Sequence, residues 1–213
     1  MAVNNICSHN NQNFALILAA GFSTRMGVCK TTLPWRNDRT LLHYQAEQFL
    51  QAGIVPIVVL GSHNADRRSD LPHGSLVTIN HNSDRGKTSS ILTGLNLLPD
   101  SFLTITISAV DQPRSSDVYH ALLKVYRQEK APIVAPSSEG KLGHPLLFSS
   151  QLLPELKNIQ ESTLGLREVV QRFYLNIKKV HLKNTDIFSD LNNPSTYQIE
   201  LQKIKQKVYL IDN

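Results

Sequence analysis

The chain has 213 residues, of which 41% are hydrophobic and 18% are charged. These proportions indicate an ordinary globular protein and exclude a disordered chain, and the length predicts one domain. The formal net charge of +5 suits anionic ligands, but the basic residues are dispersed along the chain, so we expect no nucleic-acid partner.

The N-terminal residues and the cysteines bear on domain limits and location. Residues 1–13 are polar and lack the apolar core of a signal peptide, and no apolar run reaches membrane-spanning length. We therefore expect a disordered polar tail over 1–13, a single domain over 14–213, no membrane partner and a cytoplasmic location. Cys7 and Cys29 form neither a zinc motif nor a disulfide framework, which also favours a reducing compartment.

Short apolar runs alternate with helical segments through the first two thirds of the chain. Uniformly apolar runs are typical of strands that are buried on both faces of a parallel sheet. They predict strands over 14–19, 55–60, 76–79, 102–107 and 132–135, with helices over 40–52, 88–97 and 116–128. This alternation predicts an α/β fold, a three-layer α/β/α sandwich with a Rossmann-like, mostly parallel sheet.

The remaining third of the chain is less regular. It predicts strands over 144–148, a candidate antiparallel strand, and over 175–181, and helices over 151–156, 163–173 and from Pro194 onward. Because open parallel sheets bind ligands at the carboxyl ends of their strands, functional residues are expected in the loops that follow strands.

The loop after the first strand, residues 20–30, carries the strongest chemical signal. Two glycines, Gly21 and Gly27, let the backbone approach a ligand closely and present amide donors to an anion. Arg25 and Lys30 add a guanidinium fork and a point charge, a pairing that suits a triphosphate. Neither a Walker A loop nor a GxGxxG motif is present. The residues alone therefore predict a phosphate-binding loop and leave an ordinary tight connection as the alternative.

In its wider context this loop, LAAGFSTRMGVCK, resembles the signature of the MobA-like NTP transferase family, most closely its molybdopterin (molybdenum cofactor) cytidylyltransferase branch. Further motifs follow in the family's order: Asn80 with GKTSS at 86–90, DQP at 111–113, GHP at 143–145 and DLNNP at 190–194. The family has a nucleotide-diphospho-sugar transferase type of sandwich, in agreement with the strand pattern.

The resemblance implies a role for each matching residue. It implies nucleotide binding by Ala19, Ala20, Gly21, Ser23, Asn80, Gly86, Ser89 and Ser90, and catalysis by Arg25, Lys30 and Asp111. Asp111 and Asn192 would be the ligands of a Mg²⁺ cofactor, a hard cation that takes one or two protein oxygens together with phosphate oxygens. Asp190 is the alternative to Asn192. His144 and Gly165 would contact the acceptor.

Several of these residues have structural alternatives. Asp111 could be an ordinary turn residue before a helix, Ser89 and Ser90 could be helix caps, and His144 could be a packed turn histidine. Where the family often has Gly-Asp-x-Gly, this chain reads Glu161-Ser162-Thr163-Leu164-Gly165, so the motif leaves the identity of the acceptor open.

The resemblance implies a nucleotidyltransferase that moves CMP from CTP to a small phosphorylated acceptor, molybdopterin, and releases pyrophosphate. The preference for CTP rests on Ala20, because the guanylyl branch of the family has glycine at this position. The molybdoenzyme that receives the cofactor is a further expected partner. Two alternatives remain open: a transferase for a sugar phosphate or methylerythritol phosphate, and a non-catalytic molybdenum-cofactor binding or chaperone protein.

Overall fold

The structure is a computed structural model that describes residues 12–36, 38–182 and 185–209. Most of the expected N-terminal tail, residues 1–11, lies outside the described residues, and Asn13 is already the first residue of a strand. No helix in the described ranges has the length and apolar character needed to cross a membrane.

The described residues form one mixed sheet of eight strands. The strands are β1 (Asn13–Leu18), β2 (Ile54–Gly61), β3 (Leu76–Asn80), β4 (Thr104–Ala109), β5 (Ile133–Ser138), β6 (Lys141–Leu142), β7 (Leu146–Ser149) and β8 (Ile177–His181). Their order is β3-β2-β1-β4-β7-β5-β6, with β8 paired to β5. The first four strands are parallel to one another, whereas β7 runs antiparallel to both β4 and β5.

Helices cover both faces of the sheet. They are α1 (Leu41–Gln51), α2 (Lys87–Leu95), α3 (Ser116–Glu129), α4 (Leu153–Lys157), α5 (Leu166–Arg172) and α6 (Pro194–Tyr209). On one face Leu16 and Val59 pack with residues of α2, α4 and α5. On the other face Ile17 and Val58 pack with residues of α1 and α3. The predicted α/β sandwich is confirmed, and burial on both faces explains why β1 and β2 are almost uniformly apolar.

Several elements have other bounds than predicted, and three of the differences bear on the site or its neighbourhood. The helix predicted over 163–173 begins at Leu166, because Leu164 and Gly165 have φ angles of 72° and 55°, which a right-handed helix excludes. The strand predicted over 175–181 begins at Ile177, after a short turn at Tyr174–Asn176. The strand predicted over 102–107 is shifted to 104–109, so that Asp111 follows the strand end closely.

The strand order creates a crevice at one edge of the sheet. After β1 the chain adds β2 and β3 on one side, and then returns to place β4 on the other side of β1. The loops that leave β1 and β4 therefore diverge, which is the usual ligand position in such sheets. Because β7 runs in the opposite direction, its first residue, Leu146, pairs with Ile107 near the end of β4. The GHP turn that precedes β7 is thus delivered to the same edge.

Candidate active site

A cavity of about 350 Å³ lies at the carboxyl ends of β1 and β4. Its lining includes many of the residues that the motifs singled out: Ala20, Gly21, Ser23, Arg25, Lys30, Gly86, Ser90, Asp111 and Asn192. The remaining predicted residues, Ala19, Asn80, Ser89, His144 and Gly165, do not line it. The fold therefore brings together motifs that lie up to about 170 positions apart in the chain.

The loop after β1 is tied to the neighbouring strand. The amide of Ala19 donates to the carbonyl of Val59, which extends the sheet pairing by one residue. The buried side chain of Asn64 then links the ends of β1 and β2, since its Nδ2 donates to the carbonyl of Ala19 at 3.0 Å and its Oδ1 accepts from the amide of Gly61 at 2.8 Å. Ala19 thus has a supporting position, and the next residue, Ala20, is buried and faces the cavity.

Farther along this loop, Ser23 has a left-handed φ of 54°. Its Oγ accepts a hydrogen bond from the amide of Lys30 at 3.2 Å. The bond closes the loop on itself and brings Arg25 and Lys30 to the same cavity. Two cations at the end of a strand can attract a polyanionic ligand and hold it near the loop amides.

Lys30, Asp111 and Asn192 form the central cluster of the cavity. The Nζ of Lys30 donates to Asp111 Oδ2 at 2.5 Å and to Asn192 Oδ1 at 3.2 Å. The side chains of Lys30 and Asp111 are only 12% and 17% exposed. Because little water screens the two charges, their attraction is stronger than in an exposed ion pair.

Main-chain contacts position this cluster. Gln45, which is fully buried in α1, donates from Nε2 to the carbonyls of Ala109 and Gln112 at 2.9 and 3.1 Å. It therefore holds the turn that carries Asp111. The amide of Leu191 donates to the carbonyl of Asp111 at 2.9 Å, and this bond brings the 190–194 motif to the end of β4.

The structure separates the two candidates for the second metal ligand. Asp190 accepts a hydrogen bond from Gln112 Nε2 at 3.0 Å and lies 3.9 Å from Arg114 Nη2. The carboxylate of Asp190 is thus directed at Gln112 and Arg114. Asn192 is the residue whose side-chain oxygen shares a cation with Asp111.

Arg114 connects three segments behind the site. Its guanidinium is 2% exposed and donates to the carbonyls of His144, Ser189 and Ile187 at 2.9–3.2 Å. The DQP, GHP and DLNNP motifs are therefore linked through one buried side chain. The sequence did not identify it, since burial of an arginine beside a motif leaves no local signal.

The side chain of Asn80 fixes the start of the second predicted nucleotide-binding segment, residues 86–90. Its buried Nδ2 lies 2.9 Å from both Ser89 Oγ and Ser90 Oγ, and its Oδ1 accepts from the amide of Asn82. The hydroxyl of Ser89 also lies 2.9 Å from the carbonyls of Asn82 and Gly86. Ser90 reaches the cavity lining, whereas Asn80 and Ser89 fix the turn that precedes α2.

The cavity has a third cationic residue, Lys87, which the sequence analysis did not select. Its only sequence signal was its position inside the GKTSS motif. On the outer side of the same turn, Glu161 Oε2 accepts a hydrogen bond from the amide of Thr88 at 2.9 Å. Hydrogen bonds from the side chain and the main chain of Thr88 lower the pKa of Glu161 below its usual range. Gly165 lies against the same threonine.

His144 is exposed to solvent at the GHP turn, although nearby protein groups remove part of the hydration of its imidazole. The partial loss of water lowers the pKa of its imidazole. The positive charges of Lys87 and Arg114 also lower it, and the carboxylates of Asp190 and Asp111 act in the opposite direction. The lowered pKa favours the neutral form of the ring.

The donor set around Lys30 fits a divalent metal ion. Across the described residues no group of three or more His, Cys, Asp and Glu side chains could hold one. Asp111 and Asn192 nevertheless direct two hard oxygen donors at one centre of positive charge. Mg²⁺ often takes few protein ligands and completes its shell with phosphate oxygens and water. The pair therefore suits a metal that arrives with a triphosphate.

The cavity places the cations Arg25 and Lys30, which follow β1, beside the acid Asp111, which follows β4. Together with the fold, this arrangement is the one expected of a nucleotidyltransferase. Residues 15–179 match the family model of the MobA-like NTP transferase domain. The chain belongs to this family, as its motifs predicted.

A curated relative agrees with this family, and similar solved structures agree with the fold. The chain is 26% identical over 191 residues to the molybdenum cofactor cytidylyltransferase of Escherichia coli (strain K12), covering 85% of this chain and 92% of that protein. The crystal structure of Rv0371c from Mycobacterium tuberculosis has a TM-score of 0.78 at 23% identity, covering 90% of this chain and 98% of the other. A structure of Rv0371c in complex with manganese gives a TM-score of 0.73 at 20% identity, with the same coverage.

Proposed function

We propose that the protein transfers CMP from CTP to the terminal phosphate of molybdopterin and releases pyrophosphate. The observation that carries the proposal is the cluster of Lys30, Asp111 and Asn192 at the base of a cavity whose rim is a cationic glycine loop. The similarity to a molybdenum cofactor cytidylyltransferase over most of both chains supports the choice of nucleotide and acceptor.

The residues around the cavity divide the work of substrate binding. The amides near Gly21 and Ser23 would hold the triphosphate, and Arg25 and Lys30 would neutralise the charge that grows on the departing pyrophosphate. Lys87, the first residue of α2, adds a third cation to the cavity lining. Fixed charges that are aimed at the developing charge lower the barrier because they need not reorganise during the reaction.

The transfer itself needs little proton chemistry. An oxygen of the acceptor phosphate donates an electron pair to the α-phosphorus of CTP, and a new P–O bond forms. The bond between the α-phosphorus and the oxygen that bridges to the β-phosphate breaks, and pyrophosphate leaves with that electron pair. Because the acceptor oxygen is already anionic, no general base is required, and positioning provides most of the catalysis.

Asp111 and Asn192 would hold Mg²⁺ when the nucleotide is present. The ion would neutralise phosphate charge, and the manganese complex of Rv0371c supports a divalent metal in a protein of this fold. Lys30 competes for the same two oxygens, so a metal there would leave its ammonium free to meet a phosphate oxygen.

The site draws on residues from Ala20 to Asn192, which supports the view that residues 14–213 act as one functional domain. The test is to incubate the protein with each NTP, Mg²⁺ and one acceptor at a time and to measure pyrophosphate release. The acceptors are molybdopterin, methylerythritol phosphate and a sugar phosphate. We expect release with CTP and molybdopterin, and its loss in Asp111→Asn.

Other results would redirect the assignment. Release with another acceptor only would make the protein a transferase for that acceptor. Tight molybdopterin binding without release under any NTP would favour the non-catalytic binding protein.

A further inference from the structure

Arg114 carries a positive charge that is almost fully buried. The residue is 2% exposed, and a buried charge destabilises a protein unless its donors are paired. We propose that Arg114 is a positioning residue, which holds the 187–190 segment against the turn after β4 and thereby sets the affinity of the Asp111–Asn192 pair for its divalent metal ion. The inference rests on the metal site of the proposed function.

The guanidinium of Arg114 binds main-chain oxygens. Its Nε donates to the carbonyl of His144 at 3.2 Å, and its Nη1 donates to the carbonyls of Pro113 and Ser189, both at 2.9 Å. Its Nη2 donates to the carbonyl of Ile187 at 3.0 Å. One side chain therefore fixes the main chain of three segments that are far apart in the sequence.

The carboxylate of Asp190 adds little to this link. Its Oδ1 lies 3.9 Å from Arg114 Nη2, beyond hydrogen-bond distance, and its side chain is 38% exposed. Ion pairs that water screens contribute little to stability. The position instead uses the planar fork of the guanidinium, which binds several oxygens in fixed directions. Lysine would keep the charge without the fork.

The link is close in sequence to both proposed metal ligands. Arg114 comes three residues after Asp111, and Ser189, whose carbonyl it binds, comes three residues before Asn192. Between these points the amide of Leu191 donates to the carbonyl of Asp111 at 2.9 Å. The same two segments are therefore joined at two places, and Asn192 directly follows the second.

The 187–190 segment has room to shift if the link is lost. A cavity of about 250 Å³ lies beside the link, and Arg114, Ser189 and Leu191 are among the residues that line it. Because protein interiors are otherwise closely packed, this space leaves the segment without full packing on one side. The hydrogen bonds of Arg114 supply the restraint that packing does not supply there.

Metal binding is sensitive to such a shift. Mg²⁺ requires a nearly ideal octahedral arrangement, and a neutral amide contributes mainly through its position. The side-chain oxygens of Asp111 and Asn192 lie 2.5 and 3.2 Å from Lys30 Nζ, so the main chain already places them around one cation. Loss of a residue that supports metal ligands costs about 10- to 100-fold in affinity. Arg114 thus acts on the metal through Asn192.

The experiment is a double-variant cycle on Mn²⁺ binding, measured by electron paramagnetic resonance without nucleotide. It compares the wild type with Arg114→Lys, Asn192→Ala and the protein with both changes. Arg127→Lys is the matched control, because Arg127 is exposed on α3. Thr104→Val controls for lost stability, since Thr104 donates a buried hydrogen bond to Asn13 at the start of β4, away from the carboxyl ends of the strands.

We expect Arg114→Lys to weaken Mn²⁺ binding by about tenfold. In the Asn192→Ala background the same change should alter the affinity by less than about twofold, because the ligand that Arg114 positions is already absent. Both controls should bind Mn²⁺ like the wild type, although Thr104→Val should unfold at a lower urea concentration.

A second variant moves the same segment without changing the arginine. A β-carbon added to Gly143 would lie 2.9 Å from the carbonyl oxygen of Ile187, which is one of the acceptors of Arg114. Gly143→Ala should therefore also weaken Mn²⁺ binding, and only while Asn192 is present. It decides the matter if Arg114→Lys does not fold.

Unchanged Mn²⁺ affinity in folded Arg114→Lys would overturn the proposal. Equal losses with and without Asn192 would also overturn it, because Arg114 would then act on the fold as a whole. A wild type that binds no Mn²⁺ would refute it together with the metal site. If the wild type binds Mn²⁺ but transfers no CMP to molybdopterin, the proposed function fails alone, and the cycle still judges the role of Arg114.

Discussion

The ammonium of Lys30 has two candidate anionic partners, the carboxylate of Asp111 and the pyrophosphate of the proposed mechanism. In the structure it is paired with Asp111. Its ammonium lies between the oxygens of Asp111 and Asn192, whereas the proposed mechanism gives it to the departing pyrophosphate. In a poorly solvated site the change of partner costs little, because one strong charge contact replaces another. In the proposed mechanism Lys30 therefore links metal binding to phosphate binding.

Because of this double role, we expect Lys30→Ala to lower turnover but to tighten metal binding. We expect turnover to fall by about 100-fold or more, because a preorganised donor to developing charge is lost. We also expect Mn²⁺ to bind more tightly in the absence of nucleotide, because Asp111 no longer has a competing cation. Steady-state kinetics and Mn²⁺ electron paramagnetic resonance measure the two effects, with circular dichroism as the check on folding.

Lys124→Ala is a suitable control for this prediction, since Lys124 is exposed on α3. Unchanged turnover in a folded Lys30→Ala protein would remove Lys30 from the mechanism. Unchanged Mn²⁺ affinity would show that the metal binds elsewhere.

The two proposed metal ligands should differ in importance. An anion supplies most of the attraction for a hard divalent cation, whereas a neutral amide supplies mainly geometry. We expect Asp111→Asn to abolish turnover at every Mg²⁺ concentration, and Asn192→Ala to be partly rescued by more Mg²⁺. Asp190→Asn is the control, because Asp190 is engaged by Gln112 and Arg114. Normal Mg²⁺ dependence in Asp111→Asn would contradict the assignment.

At the scale of elements, we propose that the loop after β1 limits the space available to the base of the nucleotide. Ala20 is 2% exposed and lines the cavity, so its methyl group narrows the site. We expect wild-type protein to prefer CTP over GTP and Ala20→Gly to reduce that preference. One methyl group is worth about 1–3 kcal/mol, or about 10- to 200-fold in discrimination. The kcat/KM values for both nucleotides in both proteins are the measurement.

The two halves of this prediction can fail separately. A wild-type preference for GTP would contradict the cytidylyl assignment. An unchanged ratio in Ala20→Gly would leave CTP specificity in place and refute the steric explanation.

Helix α2 approaches the sheet closely at Gly94. A β-carbon there would lie 2.7 Å from Leu16 Cδ2 and 2.8 Å from Val59 Cγ2. Gly94→Ala should therefore lower the free energy of unfolding by about 1–3 kcal/mol through overpacking, although alanine is favoured over glycine in helices by about 1 kcal/mol. Urea denaturation measures the change. Leu16→Val should compensate part of it in the double variant, and a net stabilisation by Gly94→Ala would show that the contact yields easily.

These elements show what the sequence could and could not reveal. The apolar run of β1 predicted its strand within one residue, because burial on both faces leaves a continuous signal. The two-residue strand β6 was missed, since so short a pairing has no periodicity. The start of α5 was misjudged because Leu164 and Gly165 have positive φ angles, which the apolar pattern over 163–173 did not indicate.

For the whole molecule, the hydrogen bond from the amide of Thr88 to Glu161 Oε2, here called the clasp, joins the two halves of the chain. The pKa of Glu161 is lowered below its ordinary value of 4.5, mainly by hydrogen bonds from Thr88. A carboxylate with a lowered pKa contributes stability above the unfolded value, and this contribution is lost as the pH falls through the folded value. We therefore expect the clasp to be intact at neutral pH and to open in acid.

An NMR titration of the Thr88 amide between about pH 6 and pH 3 would follow this opening. The transition should have a midpoint below 4.5 and should be absent in Glu161→Gln. A midpoint above the ordinary value would contradict the role of Thr88 as a donor to an ionised carboxylate.

The candidate site followed from the sequence as far as its motifs reached. The order of the motifs indicated that Ala20, Asp111 and Asn192 belong together, and the cavity contains all three. The supporting contacts of Gln45 and Glu161 could not be predicted, because each joins segments about 60 or more positions apart without a local pattern. Contacts between residues that are far apart in sequence depend on the fold, and motifs in one sequence do not indicate them.

The late position of Asn192 has a consequence for the protein during its synthesis. The cavity wall that contains Ala20 and Asp111 can form early, but the amide of Leu191 must reach the carbonyl of Asp111 before Asn192 meets Lys30. Domains emerge from the ribosome N-terminal end first, and contacts between distant residues form slowly. A nascent chain that has exposed only the first 150 residues therefore has the phosphate loop without the closing segment. If Asn192 is a metal ligand as proposed, we expect such an unfinished chain to transfer no nucleotide.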